Sequence, residues 1–298
     1  MALFFESFLS IFQYLNQGSL NGLFYFFGER AFNSQTPGIA NASINGELAL
    51  RPYATFSHPN VLSGFLVISM LYLLLFYKKN KYGIFFLFSG IVLGSIALLL
   101  SLSTVSILLW IITLVLLFGS PIFEKYKKNK ISKKIAVMFL VAVIIVFSAG
   151  LFFVSPHVFE RVISTRASEE SVVQREELVN SSLEMFYKNP VLGVGINNFY
   201  GNLNFSKFSN KPLLIQPVHN IYLLVLSETG LIGLAFFVYM FLFTFRFLFK
   251  KGLKKTRYLF YILLIVVIIG MFDHYFLTLQ QGQLLLSISF GFMLAKSA

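Results

Sequence analysis

Three short lysine-rich runs punctuate an otherwise apolar chain, and they constrain its fold more than any other feature. They are Lys78-Lys-Asn-Lys81, Glu124-Lys-Tyr-Lys-Lys-Asn-Lys-Ile-Ser-Lys-Lys134, and the stretch from Arg246 through Lys250-Lys251 to Arg257. Around them lie apolar segments near residues 61–77, 82–100, 105–118, 135–154, 221–245, 258–278 and 284–294, several of them long enough to cross a hydrocarbon layer. Charged residues make up only 12% of the 298, against about 25% in a soluble domain. Such a chain cannot cover a water-facing surface. The net charge of +12 does not point to nucleic acid, because the lysines are gathered between apolar segments, where they set membrane topology. There are no cysteines, which removes disulfides and thiolate metal sites. The first residues show neither a basic n-region nor a small-residue cleavage site, so no signal peptide is expected.

If each segment crosses once, the three basic runs fall on one side, the cytoplasmic one. Polar residues 28–60 and 155–218 and the turn at 279–283 then fall outside. The expectation is an all-α fold: a polytopic transmembrane helix bundle with a large outer loop containing amphipathic helices. Four regions follow: an interfacial N-terminal segment and outer loop (1–60), a four-span bundle (61–154), the outer loop (155–218) and a three-span C-terminal bundle (219–298). Residues 1–27 are aromatic-rich but interrupted by Glu6, Gln13, Asn16, Gln17, Gly18 and Asn21, so one or two interfacial helices are expected there.

Within the outer loop, Val172, Val179, Leu183 and Phe186 recur at helical spacing, with Glu177, Ser181, Glu184 and Lys188 opposite. Arg175 falls on the apolar side. It either snorkels or clamps an anion, for which a bidentate guanidinium is suited. Pro190 ends the helix, and Gly193-Val-Gly195 is expected to be a turn rather than a phosphate cradle.

His219-Asn220 stands where the polar loop meets a long apolar helix. The histidine either anchors that entry or acts as a general base. Neither a His-x-x-x-His spacing nor a carboxylate pair suggests a metal, so no metal or cofactor is expected. Arg51 either flanks a span or binds an anion. Arg161 and Arg166 have Glu160, Glu169 and Glu170 as neighbours and are expected to pair on the surface. Glu228 lies about 13 Å into the fifth span, at 1.5 Å per residue. Asp273 and His274 close the sixth span on the side of His219 and are expected to serve helix packing.

Two groups of residues together resemble the O-antigen ligase and polymerase superfamily. One is Arg51-Pro-Tyr-Ala-Thr-Phe-Ser-His-Pro-Asn60, followed by a span. The other is Arg175, then Asn189-Pro-Val-Leu-Gly-Val-Gly-Ile-Asn-Asn-Phe199, His219-Asn220-Ile-Tyr-Leu and Glu228-Thr-Gly-Leu-Ile-Gly233. The resemblance runs from about residue 45 to the C-terminus. It implies a polytopic enzyme of the cytoplasmic membrane with its active site on the outer face. Such an enzyme moves a glycan from undecaprenyl diphosphate to an acceptor hydroxyl on a glycan, lipid or protein, with inversion and without metal. By the resemblance His219 is the base, and Arg51, Arg175 and, less directly, Arg161 bind the diphosphate. Asn60, Asn220 and Glu228 belong to the same blocks and are expected to support them. Family members usually have more spans, so N-terminal spans preceding this chain are expected. The competing expectations are a transporter or flippase-like export protein, with ionisable groups at mid-membrane, and a non-catalytic scaffold of an export complex.

Overall fold

The computed structural model describes residues 1–44, 47–78, 80–119, 165–204 and 216–295. The expected fourth span, 135–154, and Arg161 lie outside the described residues. The protein is mostly helical and divides into two compact units, Met1–Ile163 and Ser164–Ala298. Among the described residues three helices are long and apolar enough to cross a membrane: Pro59–Phe76, Lys81–Leu100 and Ile221–Lys250.

In the first unit, α1 (Ala2–Asn16), α3 (Pro59–Phe76) and α5 (Thr104–Gly119) gather around α4 (Lys81–Leu100), and a single turn, α2 (Leu23–Phe26), follows α1. Gly90 and Gly94 let the helices approach. A Cβ on Gly94 would stand 2.9 Å from Met70 Sδ of α3 and 3.2 Å from Leu3 of α1. Small residues four apart are the usual way to bring apolar helices close where water does not drive packing. Trp110 of α5 is fully buried and donates from Nε1 to Ser95 Oγ of α4 at 3.1 Å.

The polar residues that interrupt the N-terminal segment share one stripe of α1. Glu6, Ser10 and Gln13 follow at steps of four and three, a single helix face, and Gln17 caps the helix just beyond it. Three of them grip the loop before α3. Glu6 accepts from the Thr55 hydroxyl, Gln13 Oε1 from the Tyr53 and Ala54 amides at 3.0 and 2.7 Å, and Gln17 Oε1 from the Leu50 amide at 2.8 Å. The segment 28–60, expected to be a plain loop, contains an antiparallel hairpin of β1 (Asn41–Ile44) and β2 (Glu47–Leu50), in register Asn41 to Leu50 and Ile44 to Glu47.

The second unit comprises α6 (Thr165–Lys188), α7 (Ile221–Lys250), α8 (Leu253–Gly270), the short α9 (Tyr275–Thr278) and α10 (Gln280–Ala295). Two features differ from expectation. The sixth apolar segment is helical only to Gly270, so Asp273 and His274 lie in the connection beyond it. Helix α7 is broken at Gly230, whose φ of 66° and ψ of −165° are not helical. The rings of Tyr222 and Phe237 are 6.0 Å apart, whereas fifteen residues of straight helix would separate them by about 22 Å. The chain therefore doubles back at Gly230. Residues 221–229 form a short first helix, and residues 231–250, about 30 Å at 1.5 Å per residue, form the part long enough to cross a bilayer. The basic residues Arg246, Lys250 and Lys251 stand at the end of this long part remote from His219.

Candidate active site

The break in α7 is matched by the loop that follows α6. A helix interruption orphans backbone donors and acceptors, and buried ones need partners. The loop supplies them. The Val194 amide donates to Ser227 O at 3.0 Å, the Gly195 amide to Glu228 O at 2.9 Å, and the Leu231 amide to Pro190 O at 2.9 Å. The approach is so close that a Cβ on Gly193 would overlap the Glu228 peptide, and one on Gly230 would overlap the Val191 carbonyl. Gly193-Val-Gly195 is thus a turn, its Gly193 amide spent on Asn189 O and its Val194 and Gly195 amides on α7, not a phosphate cradle. The Glu228 carboxylate accepts from the Phe199 amide at 3.3 Å. Glu228 is therefore a clamp on the loop and belongs to the short first helix of α7, not to its long apolar part. Phe199 in turn is buried with Leu178, Met185, Leu203, Val218 and Leu224.

This scaffold fixes the chain at His219. On one side Val218 is fully buried. On the other, Asn220 caps the short first helix of α7: its Oδ1 accepts from the Tyr222 and Leu223 amides at 2.9 and 3.0 Å, and its Nδ2 donates to Met271 O at 3.2 Å. The capping role belongs to Asn220 rather than to His219. The Met271 bond ties this short helix to the connection after α8, and Ile221 packs against Gly270. Asp273 and His274 are thereby brought to His219. The His219 Nδ1 lies 4.0 Å from Asp273 Oδ1, and the two imidazole rings are 5.1 Å apart. Asp273 Oδ1 also accepts from the His274 amide at 2.8 Å, while His274 Nδ1 and the Thr278 hydroxyl share a 2.6 Å hydrogen bond. The His219 Nδ1 is itself buried without a hydrogen-bond partner among the described residues.

Burial pushes the His219 pKa down to about 4, with the Asp273 carboxylate opposing the shift and the charges of His274 and Arg175 adding to it. Burial lowers His274 as well, again opposed by Asp273. Both rings are neutral at pH 7. Arg175 occupies the α6 stripe that continues to Leu178, Ser182 and Met185, but its own side chain is exposed, beyond the packed part of that stripe. The buried face of α6 therefore runs through Leu178, Ser181, Ser182 and Met185 rather than through Val179, Leu183 and Phe186, which are only half-buried. Ser181, expected on the opposite face, is in the core, and the Ser182 hydroxyl donates to Leu223 O at 3.0 Å.

Arg51 and Asn60 come together in the first unit. Arg51 is 6% exposed; its Nε donates to Ser101 O at 2.8 Å and its Nη2 to Asn60 Oδ1 at 2.9 Å. Asn60 begins α3, where His58 Nδ1 accepts from its amide at 3.1 Å as the helix cap. Arg51 is thus a buried bracket between the start of α3 and the end of α4, not a charge merely flanking a span. Beside it, Arg30 lies over the Tyr53 ring at 5.3 Å and donates to Ser57 O.

Residues 89–238, half of the chain, match the family described as O-antigen ligase. The chain belongs to the O-antigen ligase family. The O-antigen ligase match includes Arg175, His219, Asn220 and Glu228; Arg51 and Asn60 precede it, and Asp273 and His274 follow it. No curated protein matches the chain. Membership makes this a membrane protein of ligase or polymerase type, working on glycan and lipid-linked substrates in general.

Chemically, the site offers a neutral imidazole with a carboxylate behind Nδ1 and a fixed positive charge nearby. A carboxylate 4.0 Å from Nδ1, beyond hydrogen-bonding reach, favours through its charge the imidazolium formed when Nε2 takes a proton. Asp273, expected to serve packing, is the residue placed to do this. His219, Asp273 and His274 also hold three ligand atoms within 4.8 Å of one another, which is compatible with a metal ion.

Proposed function

We propose that this protein transfers a glycan from undecaprenyl diphosphate to an acceptor hydroxyl at the outer face of the cytoplasmic membrane, with His219 as general base. The observation that carries this is His219, within the O-antigen ligase match, held neutral by burial 4.0 Å from the Asp273 carboxylate, with the charge of Arg175 reaching it. The acceptor oxygen attacks the anomeric carbon from the face opposite the diphosphate, and the configuration inverts. The bond from that carbon to the diphosphate oxygen breaks, and its electron pair leaves with the diphosphate. The acceptor proton passes to His219 Nε2 while Asp273 stabilises the resulting imidazolium. Arg175 offsets charge growing on the leaving diphosphate, the kind of stabilisation that is often the largest part of catalysis. Arg51 and Arg161 are, by the family resemblance, also assigned to diphosphate binding. For Arg51, the bonds to Ser101 and Asn60 support a preset guanidinium. No metal enters these steps.

The transport alternative needed a carboxylate at mid-membrane. Glu228 is its candidate; that its carboxylate accepts from the Phe199 amide, ahead of the break at Gly230, supports the transferase reading instead. The test is transfer in membranes supplied with an undecaprenyl-diphosphate oligosaccharide, wild type beside His219→Ala, with products resolved by size. Loss of about 10²–10⁴-fold in the variant is expected for a removed base. A ladder of repeats identifies a polymerase and a single addition a ligase; unchanged transfer in correctly inserted His219→Ala refutes the base. Fusions at Asn129 reporting cytoplasm and at Ser209 reporting the outside would support the orientation, and the reverse would remove it.

A further inference from the structure

We propose that His219, Asp273 and His274 form a transition-metal site, best suited to Zn²⁺, whose occupation switches the enzyme off. The three side chains offer two imidazoles and one carboxylate, with ligand atoms that all lie within 4.8 Å of one another. That donor set suits zinc, which binds His nitrogen at about 2.0–2.1 Å and carboxylate oxygen at about 2.0–2.2 Å. Two such ligands on one ion stand between about 3.3 Å apart in a tetrahedron and about 4.3 Å when opposed. The 4.0 Å between His219 Nδ1 and Asp273 Oδ1 falls in this range and is too long for a hydrogen bond. The second observation is the Nδ1 of His219 itself, a buried nitrogen with no hydrogen-bond partner among the described residues. A buried polar atom normally has one, and a cation would serve.

The scaffold holds these groups for metal as firmly as for catalysis. Asp273 and His274 are adjacent, joined by the bond from the His274 amide to Asp273 Oδ1. The His274 ring is oriented by Thr278 at its Nδ1, which leaves Nε2 as its ligand atom. An oriented second nitrogen is the usual arrangement around a metal-binding histidine. His219 is positioned by the Asn220 cap and its bond to Met271 O.

The consequence for activity rests on the function proposed above; the binding itself does not. A metal on Nδ1 takes the lone pair there, so the single ring proton of neutral His219 must reside on Nε2. Nε2 then has no lone pair for the acceptor proton. Zinc therefore competes with the catalytic tautomer and inhibits without contacting the substrate.

The experiment has two readouts on the full-length chain. In detergent, Zn²⁺ binding is measured by competition with a chromophoric chelator, wild type beside His274→Gln. This variant keeps the backbone amide that holds Asp273 and removes one ligand. In membranes, the transfer reaction is titrated with Zn²⁺ and then with chelator. The expected result is one zinc per wild-type chain, at least tenfold weaker binding by His274→Gln, and zinc inhibition that chelator reverses in wild type and that His274→Gln resists while its zinc-free transfer persists. Absence of zinc binding by wild type, or equal binding by His274→Gln, overturns the site. If zinc binds as expected but wild type transfers nothing, the site stands and the proposed function fails. If zinc binds as expected and transfer proceeds undiminished, the switch is overturned.

Discussion

Replacing Gly230 by alanine tests whether the doubled-back α7 is what positions His219. The residue sits at φ 66° and ψ −165°, a region that side chains other than hydrogen avoid at a cost of about 1–3 kcal/mol. Its new Cβ would also overlap the Val191 carbonyl, which is backbone and cannot swing away. Relieving that overlap pulls the 190–195 loop from the break. The bonds at risk are Leu231 to Pro190, Val194 to Ser227 and Gly195 to Glu228, at about 0.5–1.5 kcal/mol each. The sum is about 3–8 kcal/mol, a large share of the 5–15 kcal/mol typical of a whole domain. Gly291→Ala is the control. A Cβ there meets nothing within 4 Å, and alanine favours a helix, so it should be neutral or slightly stabilising. Thermal melting in detergent, followed by helical circular dichroism, should show Gly230→Ala melting well below both wild type and Gly291→Ala, with transfer lost in parallel. If the two alanine variants melt together, α7 is not broken at Gly230, and the account of how His219 reaches Asp273 fails with it.

Arg175→Lys should lower transfer markedly, because lysine keeps the charge but loses the bidentate fork; transfer at the wild-type rate in a kinetic assay would remove the diphosphate role. Transfer should be flat from pH 7 to about 5 and fall as pH drops through about 4, where His219 protonates; an acid limb in kcat/KM near 6.5 would show an unperturbed imidazole. The same depressed pKa makes the unfolded chain bind a proton first on acidification. His219 should therefore cost about 3 kcal/mol of stability between pH 6.5 and 4, a loss read from denaturation midpoints and absent in His219→Gln. Gln13→Leu should destabilise the first unit by about 3 kcal/mol or more. It leaves the Tyr53 and Ala54 amides and the Ala54 carbonyl without their partner, at about 1–3 kcal/mol each; Trp110 fluorescence, from within that unit, reports the loss.

The apolar segments were legible as helices because hydropathy over some twenty residues is a coarse property that one substitution barely alters. Helices α3, α4 and α5 begin and end close to where the lysine runs and the Ser101–Thr104 break place them. What hydropathy could not show was where an apolar run turns back on itself. Residues 221–245 read as one span because Gly230 and Gly233 are as tolerable in a membrane helix as any small residue, and only the partner loop reveals why Gly230 has no side chain. Two local signals were present and were passed over. Asn45-Gly46 between two short alternating stretches is a strong hairpin signature, and β1 and β2 flank it. The steps of four and three among Glu6, Ser10 and Gln13 made a helix stripe out of what looked like interruptions.

The site shows the same division for a different reason. His219, Asn220 and Arg175 could be singled out because each is locally odd: a histidine at a helix mouth, a capping residue beside it, an arginine among apolar neighbours. Asp273 and His274 could not be, because their importance lies in a distance to a residue more than fifty positions away. An acid beside a histidine after a helix is ordinary until Asn220 bonds to Met271 and Ile221 seats against Gly270, and those contacts belong to tertiary structure. Arg51 shows the reverse case. Its position before a span was legible, yet its surroundings were not, since Ser101 lies fifty residues on. A buried guanidinium tied to a helix end and to Asn60 is rigid, and a rigid cation is what differential stabilisation of a leaving group requires. An exposed arginine such as Arg30 can attract an anionic headgroup, but desolvates it less than a buried one. Arg51 should accordingly affect the rate of transfer, and Arg30 chiefly the affinity for the donor.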